Sequence, residues 1–263
     1  MKKYLEFFLF QIKQMIGNRI GLTAIICNIG VIFHEAGLMI TEKCDLLEGL
    51  QSAYVLGMTS YITPVLVSLP YVMKFHEETT TYAYRYQAVR AGKLQYVIRK
   101  TLEGMSSSLL IMALSLLGYT LVGFLHSRYY EIPLVFEGIT NYYGNTNEIF
   151  YCRLLEQGNG WLVYFLHCLF LLCYGMIWPC IGMMVSLFAG NRLLALASPF
   201  LMKRLLEYIC PMAWNPAQLR MTGWLAQRAF GGSLYAFCYL GVVALFCILA
   251  LFFRMQWQYQ QHG

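Results

Sequence analysis

Apolar residues along this chain gather in long runs, separated by shorter polar segments. A helix needs about 20 apolar residues to cross a bilayer core about 30 Å thick. Six runs reach or approach that length, at about 20–40, 54–73, 105–125, 161–188, 193–209 and 233–253. The first and fifth are the weakest, while the fourth is long enough to tilt or to reach beyond the bilayer, and Pro179 predicts a kink in it. The pattern predicts an all-α polytopic membrane protein of six transmembrane helices. Within residues 1–19, Leu5, Phe8, Leu9, Ile12 and Ile16 recur at helical spacing, with Glu6, Lys13 and Gln14 elsewhere. That periodicity predicts an N-terminal amphipathic helix lying in the inner interface. The stretch 126–160, rich in Tyr, Asn and Gly, predicts an outer loop too small to be a receptor domain. The stretch 210–232 carries Pro211, Trp214, Pro216 and Trp224 and predicts a broken, re-entrant or interfacial outer segment.

Composition agrees with a membrane chain: 59% of residues are hydrophobic and only 12% charged, against about 25% charged in soluble domains. The mean hydropathy is +0.53. Glu6, Lys13 and Arg19 interrupt the first apolar stretch, so no cleavable leader is expected. With Met1 inside, twelve of the nineteen Lys and Arg fall on the cytoplasmic side. The positive-inside rule then predicts a multi-pass protein of the cell membrane with both termini cytoplasmic, although Lys203, Arg204, Arg220 and Arg228 pull the other way. The nine Cys form no CxxC pair, which points away from a zinc or redox site. Cys44 and Cys152 fall in different outer loops and could bridge, with Cys210 as a third candidate.

The densest charge lies between the second and third spans, in "KFHEETTTYAYRYQAVRAGKLQYVIRK" from Lys74 to Lys100. Adjacent Glu77 and Glu78 resemble the EExxxR motif of intramembrane peptidases of the CAAX-protease type. Tyr82 stands where that motif has Arg, and none of the five His lies four residues after a Phe. The stretch is otherwise compatible with a short helix, a break near "RAGK" and a second helix entering the third span.

In this arrangement the chain resembles the permease subunits of type-two ATP-binding-cassette exporters. The matching residues are Glu77 or Glu78, "RAGK" at Arg90 to Lys93, and Lys100, together with the overall layout of the chain. The departures are the Thr79 to Thr81 run where many relatives have Gly, and the Lys203/Arg204 pair late in the fifth span. The resemblance implies that 74–104 is a cytoplasmic coupling segment, with Glu77, Glu78, Tyr82, Tyr86, Arg90, Gly92 and Lys93 docking on a partner. It implies separate ATPase subunits and a second permease copy, identical or related, within membrane lipid. No nucleic-acid partner is expected. The chain itself carries no GxxxxGK[ST] and no GxGxxG, so ATP would be bound by the partner, and no cofactor, metal or catalytic residue is expected here. Tyr84 and Tyr96 are further candidate aromatic anchors.

Small and polar residues mark a candidate translocation path: Thr59, Ser60, Thr63 and Ser68 on the second span, and Asn28 on the first. Such residues also let helices of one chain pack closely. His34 and Glu35 read as a polar helix end reaching the outer headgroups. Lys203, Arg204 and Glu207 have the spacing for internal neutralisation within one helix. The expected cargo is amphipathic: a lipid, a peptide antibiotic or a hydrophobic drug. The alternatives are an intramembrane peptidase and a non-transporting membrane scaffold or sensor.

Overall fold

A computed structural model of the chain describes residues 18–40, 46–55, 57–81, 86, 89–90, 92–131, 157–213 and, near the C-terminus, 241–242, 245–246, 248–250, 252–253 and 256–257. Among the described residues the elements are all helical: α1 (Arg19–Ile40), α2 (Leu46–Val55), α3 (Thr59–Thr80), α4 (Lys93–Tyr130), α5 (Gly160–Ser186) and α6 (Arg192–Ala213). Three of them, α1, α4 and α5, are long and apolar enough to cross a membrane. The protein is therefore described as a membrane-embedded helical bundle. The expected interfacial helix, Cys44, Cys152, Tyr82 and most of the segments 126–160, 210–232 and 233–253 lie outside the described residues.

Local chemistry fixes several helix ends. The Asn18 side chain accepts a hydrogen bond from the Ile20 amide (3.1 Å), and Asn191 does the same for Leu193 (2.9 Å). Each satisfies an amide that the helix cannot. Gly92 takes φ 82°, a conformation costly for any residue with a Cβ, and it starts α4. The helix then runs 38 residues without interruption, about 57 Å at 1.5 Å per residue. That is far longer than the 105–125 run read from hydropathy, because the stretch from Lys93 is polar yet contains no Pro, and its one glycine, Gly104, is packed inside the continuous helix.

The 54–73 run, expected as a second span, is not one helix. Its apolar stretch is divided between α2 and α3, with Gly57 and Met58 between them. A Cβ at Gly57 would lie 2.6 Å from Glu35 Oε2 and 2.7 Å from the Ala53 carbonyl oxygen, so the chain turns where only glycine fits. Leu46, Leu47, Leu50, Ala53 and Tyr54 of α2 are all buried. The Leu46 carbonyl accepts from Tyr119 of α4 (3.1 Å), and Tyr54 points to Met112 Sδ (3.6 Å), two turns nearer the Lys93 end. Thus α2 runs back into the bundle beside α4 instead of lying in an outer loop.

Two apolar clusters hold the helices together. The larger gathers Ala24, Ile32, Leu50, Ile111, Phe170 and Trp178 with their neighbours. The smaller lies where α3 ends and α4 begins, and contains Tyr71, Phe75, Tyr96, Val97, Cys180, Met183 and Leu187, with Ile248 and Phe252 packed against it. The α3 and α5 backbones approach closely beside it, where a Cβ at Gly182 would lie 2.5 Å from Val72 Cγ2.

Candidate functional site

The charged residues at the base of α3 and α4 form one network. The Lys100 ammonium reaches both carboxylate oxygens of Glu78, at 2.6 and 2.9 Å, and Glu103 Oε2 at 3.5 Å. Arg99 Nε donates to the other Glu103 oxygen at 2.9 Å. The Tyr71 hydroxyl lies 2.8 Å from the Lys100 carbonyl and 3.2 Å from Glu103 Oε2. The Lys100 and Glu103 side chains are only 6% and 7% exposed. Two cations face two carboxylates, so the cluster is neutral as a whole, which makes its burial tolerable. It joins the last turn of α3 to the first turns of α4 across the 81–92 connection. Beside it, His76 Nδ1 lies 3.0 Å from Ser186 Oγ, tying α3 to the end of α5.

Glu77 and Glu78 therefore differ sharply in environment. Glu77 is exposed and meets Arg192 of α6 at 3.4 Å, an arrangement of little energetic weight. Glu78 turns inward to Lys100. Tyr86 and Arg90 are exposed, as is Gly92, and the Lys93 side chain lies outside the described residues. Tyr96, one of the candidate anchors, is buried in the smaller cluster. The exposed side of this end carries Tyr86, Val89, Arg90, Ile98, Arg99 and Leu102, a mixture of apolar and basic groups. Sequence reasoning did not single out Tyr71 or Glu103, although the spacing of Arg99 and Lys100 relative to Glu103 was readable as i,i+4 and i,i+3.

Of the polar residues assigned to a path, Asn28, Thr59 and Thr63 meet between α1 and α3, while the Ser60 and Ser68 hydroxyls bond to nearby carbonyls of their own chain segment. Asn28, Thr59, Ser60, Thr63 and Ser68 are all fully buried within the single chain. Thr63 Oγ1 donates to Asn28 Oδ1 at 2.8 Å, and Asn28 Nδ2 faces Met112 Sδ at 3.9 Å. Thr59 reaches the Val31 carbonyl at 3.5 Å, while Ser68 bonds back to the Pro64 carbonyl at 2.8 Å. In this conformation they form a hydrogen-bonded seam rather than an open channel.

A third group lies higher on α6. Lys203 is buried, with Nζ 3.7 Å from the centroid of the Tyr61 ring, and Arg204 Cζ lies 4.3 Å from the same centroid. Phe200 meets Tyr61 edge-on at 6.2 Å. The Glu207 side chain, the expected i,i+4 partner of Lys203, lies outside the described residues. Burying the Lys203 ammonium is costly, and the aromatic face offsets part of that cost.

Among the described residues, no three His, Cys, Asp or Glu side chains converge on a metal-sized site. Comparison with protein-family models, with characterised proteins and with solved structures finds no match for this chain.

Proposed function

We propose that the chain is the membrane-spanning permease subunit of an ATP-driven exporter, moving an amphipathic cargo with energy from separate ATP-binding-cassette ATPase subunits. The observation that carries the reading is the base of the α3–α4 pair. The α4 helix has 38 residues, where about 20 suffice to cross a bilayer. Its surplus is clamped to α3 by Glu78, Lys100 and Glu103. A push on the 81–92 connection would move both helices as a unit, which is what coupling to an ATPase demands. Tyr86, Val89 and Arg90 on that connection are exposed and suited to a protein partner. Two copies, identical or paired with a related chain, would enclose the path. The Asn28–Thr63 seam would then open when α1 and α3 separate. Affinity purification from native membrane tests the reading: a Walker-motif ATPase in equal copy number is expected, and its absence removes the proposal.

The contact between His76 and Ser186 favours one second reading, an intramembrane peptidase. A hydroxyl within hydrogen-bond reach of an imidazole is the minimum of an activated nucleophile. Both residues are buried and stand beside the packed Phe75, Met183 and Leu187. A fluorophosphonate probe should leave Ser186 unlabelled if the pair is structural. Labelling lost in Ser186→Ala would favour the peptidase.

A further inference from the structure

We infer that Arg204, held with Lys203 over the Tyr61 ring, forms an anion site inside the membrane, in the wall of a groove between α5 and α6 that takes an acidic amphiphile. The ligand would carry one carboxylate or phosphate and an apolar chain. The inference rests on the exporter reading for its biological role, since it names the class of cargo, but the binding itself does not depend on an ATPase.

Depth is fixed by contacts. Tyr174 lies midway along α5, one of the helices able to cross a membrane, and its hydroxyl bonds the carbonyl of Ser60 at 3.3 Å. Tyr61 is the next residue, and the two cations lie over its ring. Counting along α6 agrees, because Arg204 follows Arg192 by about 18 Å of helix. The cations thus lie at mid-depth and not in a headgroup layer. Intramembrane ionisable residues mark substrate or ion pathways more often than packing.

The groove next to them has a volume of about 770 Å³, within the range of small-molecule sites. Ile181 and Val185 of α5 and Leu194, Leu201 and Leu205 of α6 make its walls apolar, and Arg204 lines it as well. Among the described lining residues Arg204 is the charged one. An apolar trough with a guanidinium in its wall is complementary to a fatty-acyl chain that carries an anion. Guanidinium binds carboxylate and phosphate in a two-pronged geometry. The Tyr61 ring holds the charged ends of both cations beside α3, so the site is braced by a second helix.

The test uses the purified full chain in nanodiscs of zwitterionic phosphatidylcholine, with spin-labelled stearic acid and the matching neutral alcohol as probes. The acid is expected to bind at least tenfold more tightly than the alcohol. Arg204→Gln, an exposed position, should reduce acid binding to the level of the alcohol, and Leu201→Trp should weaken both by filling the groove. Glu207→Gln removes the nearest acidic residue in the sequence and should leave acid binding equal or stronger. Equal binding of acid and alcohol, retention of acid binding in Arg204→Gln, or its loss in Glu207→Gln would overturn the site. So would high-yield cross-linking between chains through Leu201→Cys, which would put a second copy in the groove. Discriminating binding without a co-purifying ATPase keeps the site and removes the exporter; an ATPase without discrimination does the reverse.

Discussion

The Tyr174 hydroxyl of α5 donates to the carbonyl of Ser60 in α3, the oxygen that Pro64 leaves without its usual amide partner. A proline inside a helix deprives the carbonyl four residues earlier of its hydrogen bond. Ser60 is fully buried, so bulk water does not replace it. The neighbouring helix supplies the donor, so α3 keeps its course through Pro64.

Tyr174→Phe should therefore destabilise the bundle by about 1–3 kcal/mol, the cost of a buried acceptor left unmet. In Pro64→Ala the helix regains its own amide, and the same Tyr174→Phe change should then cost clearly less. Thermal unfolding of the four proteins of this double-mutant cycle in one detergent gives the coupling directly. Additive effects would show that the Tyr174 hydroxyl does not act through the carbonyl that Pro64 leaves open, since Phe keeps the ring contact with Trp178 at 5.2 Å.

The Glu78–Lys100–Glu103 network predicts an asymmetry. Lys100→Met takes the cation from Glu78 and leaves Glu103 to Arg99 and Tyr71, and should cost about 3 kcal/mol, whereas replacing Glu78 and Lys100 together by Gln and Met should recover much of that loss. Glu77→Ala should be nearly silent, because its contact with Arg192 is solvated. The readout is unfolding temperature of the purified protein. A silent Lys100→Met would mean that the cluster opens to water and cannot act as a rigid link.

Coupling makes a separate demand on exposed residues. Tyr86→Ala and Arg90→Glu should lower stimulation of a co-purified ATPase severalfold while leaving unfolding temperature unchanged, since both side chains project from the bundle. Wild-type stimulation in both variants would place the partner elsewhere.

What the sequence disclosed follows from the range of the interactions involved. The helices α1 and α5 were readable because each is a long apolar run bounded by polar residues, and α6 was readable, though less clearly, because Lys203, Arg204 and Glu207 interrupt its run. The α2 helix was not, since Glu42, Lys43, Asp45 and Glu48 depress the hydropathy around it. Its Leu46, Leu47, Leu50 and Tyr54 do recur at helical spacing, and a window shorter than a full span would have found it. Apolarity also runs across Gly57 and Met58, which hid the α2–α3 break. Within α4 the Arg99–Glu103 pair is local and legible, but Glu78 meets Lys100 across 22 residues only because α3 and α4 lie side by side. Local spacing likewise points Lys203 to Glu207, and no local rule could bring in Tyr61 from α3.

The seam between α1 and α3 separates two accounts of the same residues. Thr63 and Asn28 share a hydrogen bond of 2.8 Å and are fully buried. As a packing contact, their bond should be worth about 0.6–1.7 kcal/mol, the range of interhelical polar contacts in membranes. Thr63→Val should then lower stability by that amount and leave transport intact. As part of a path, the seam must part on each cycle. Cys at both positions, joined by a short bifunctional thiol reagent, should then arrest cargo movement while the complex still assembles and still hydrolyses ATP. Cleaving the link with reductant should restore transport. Full transport with the link in place would mean that α1 and α3 stay together throughout the cycle and that cargo passes along another face, for which the α5–α6 groove beside Arg204 is the remaining candidate.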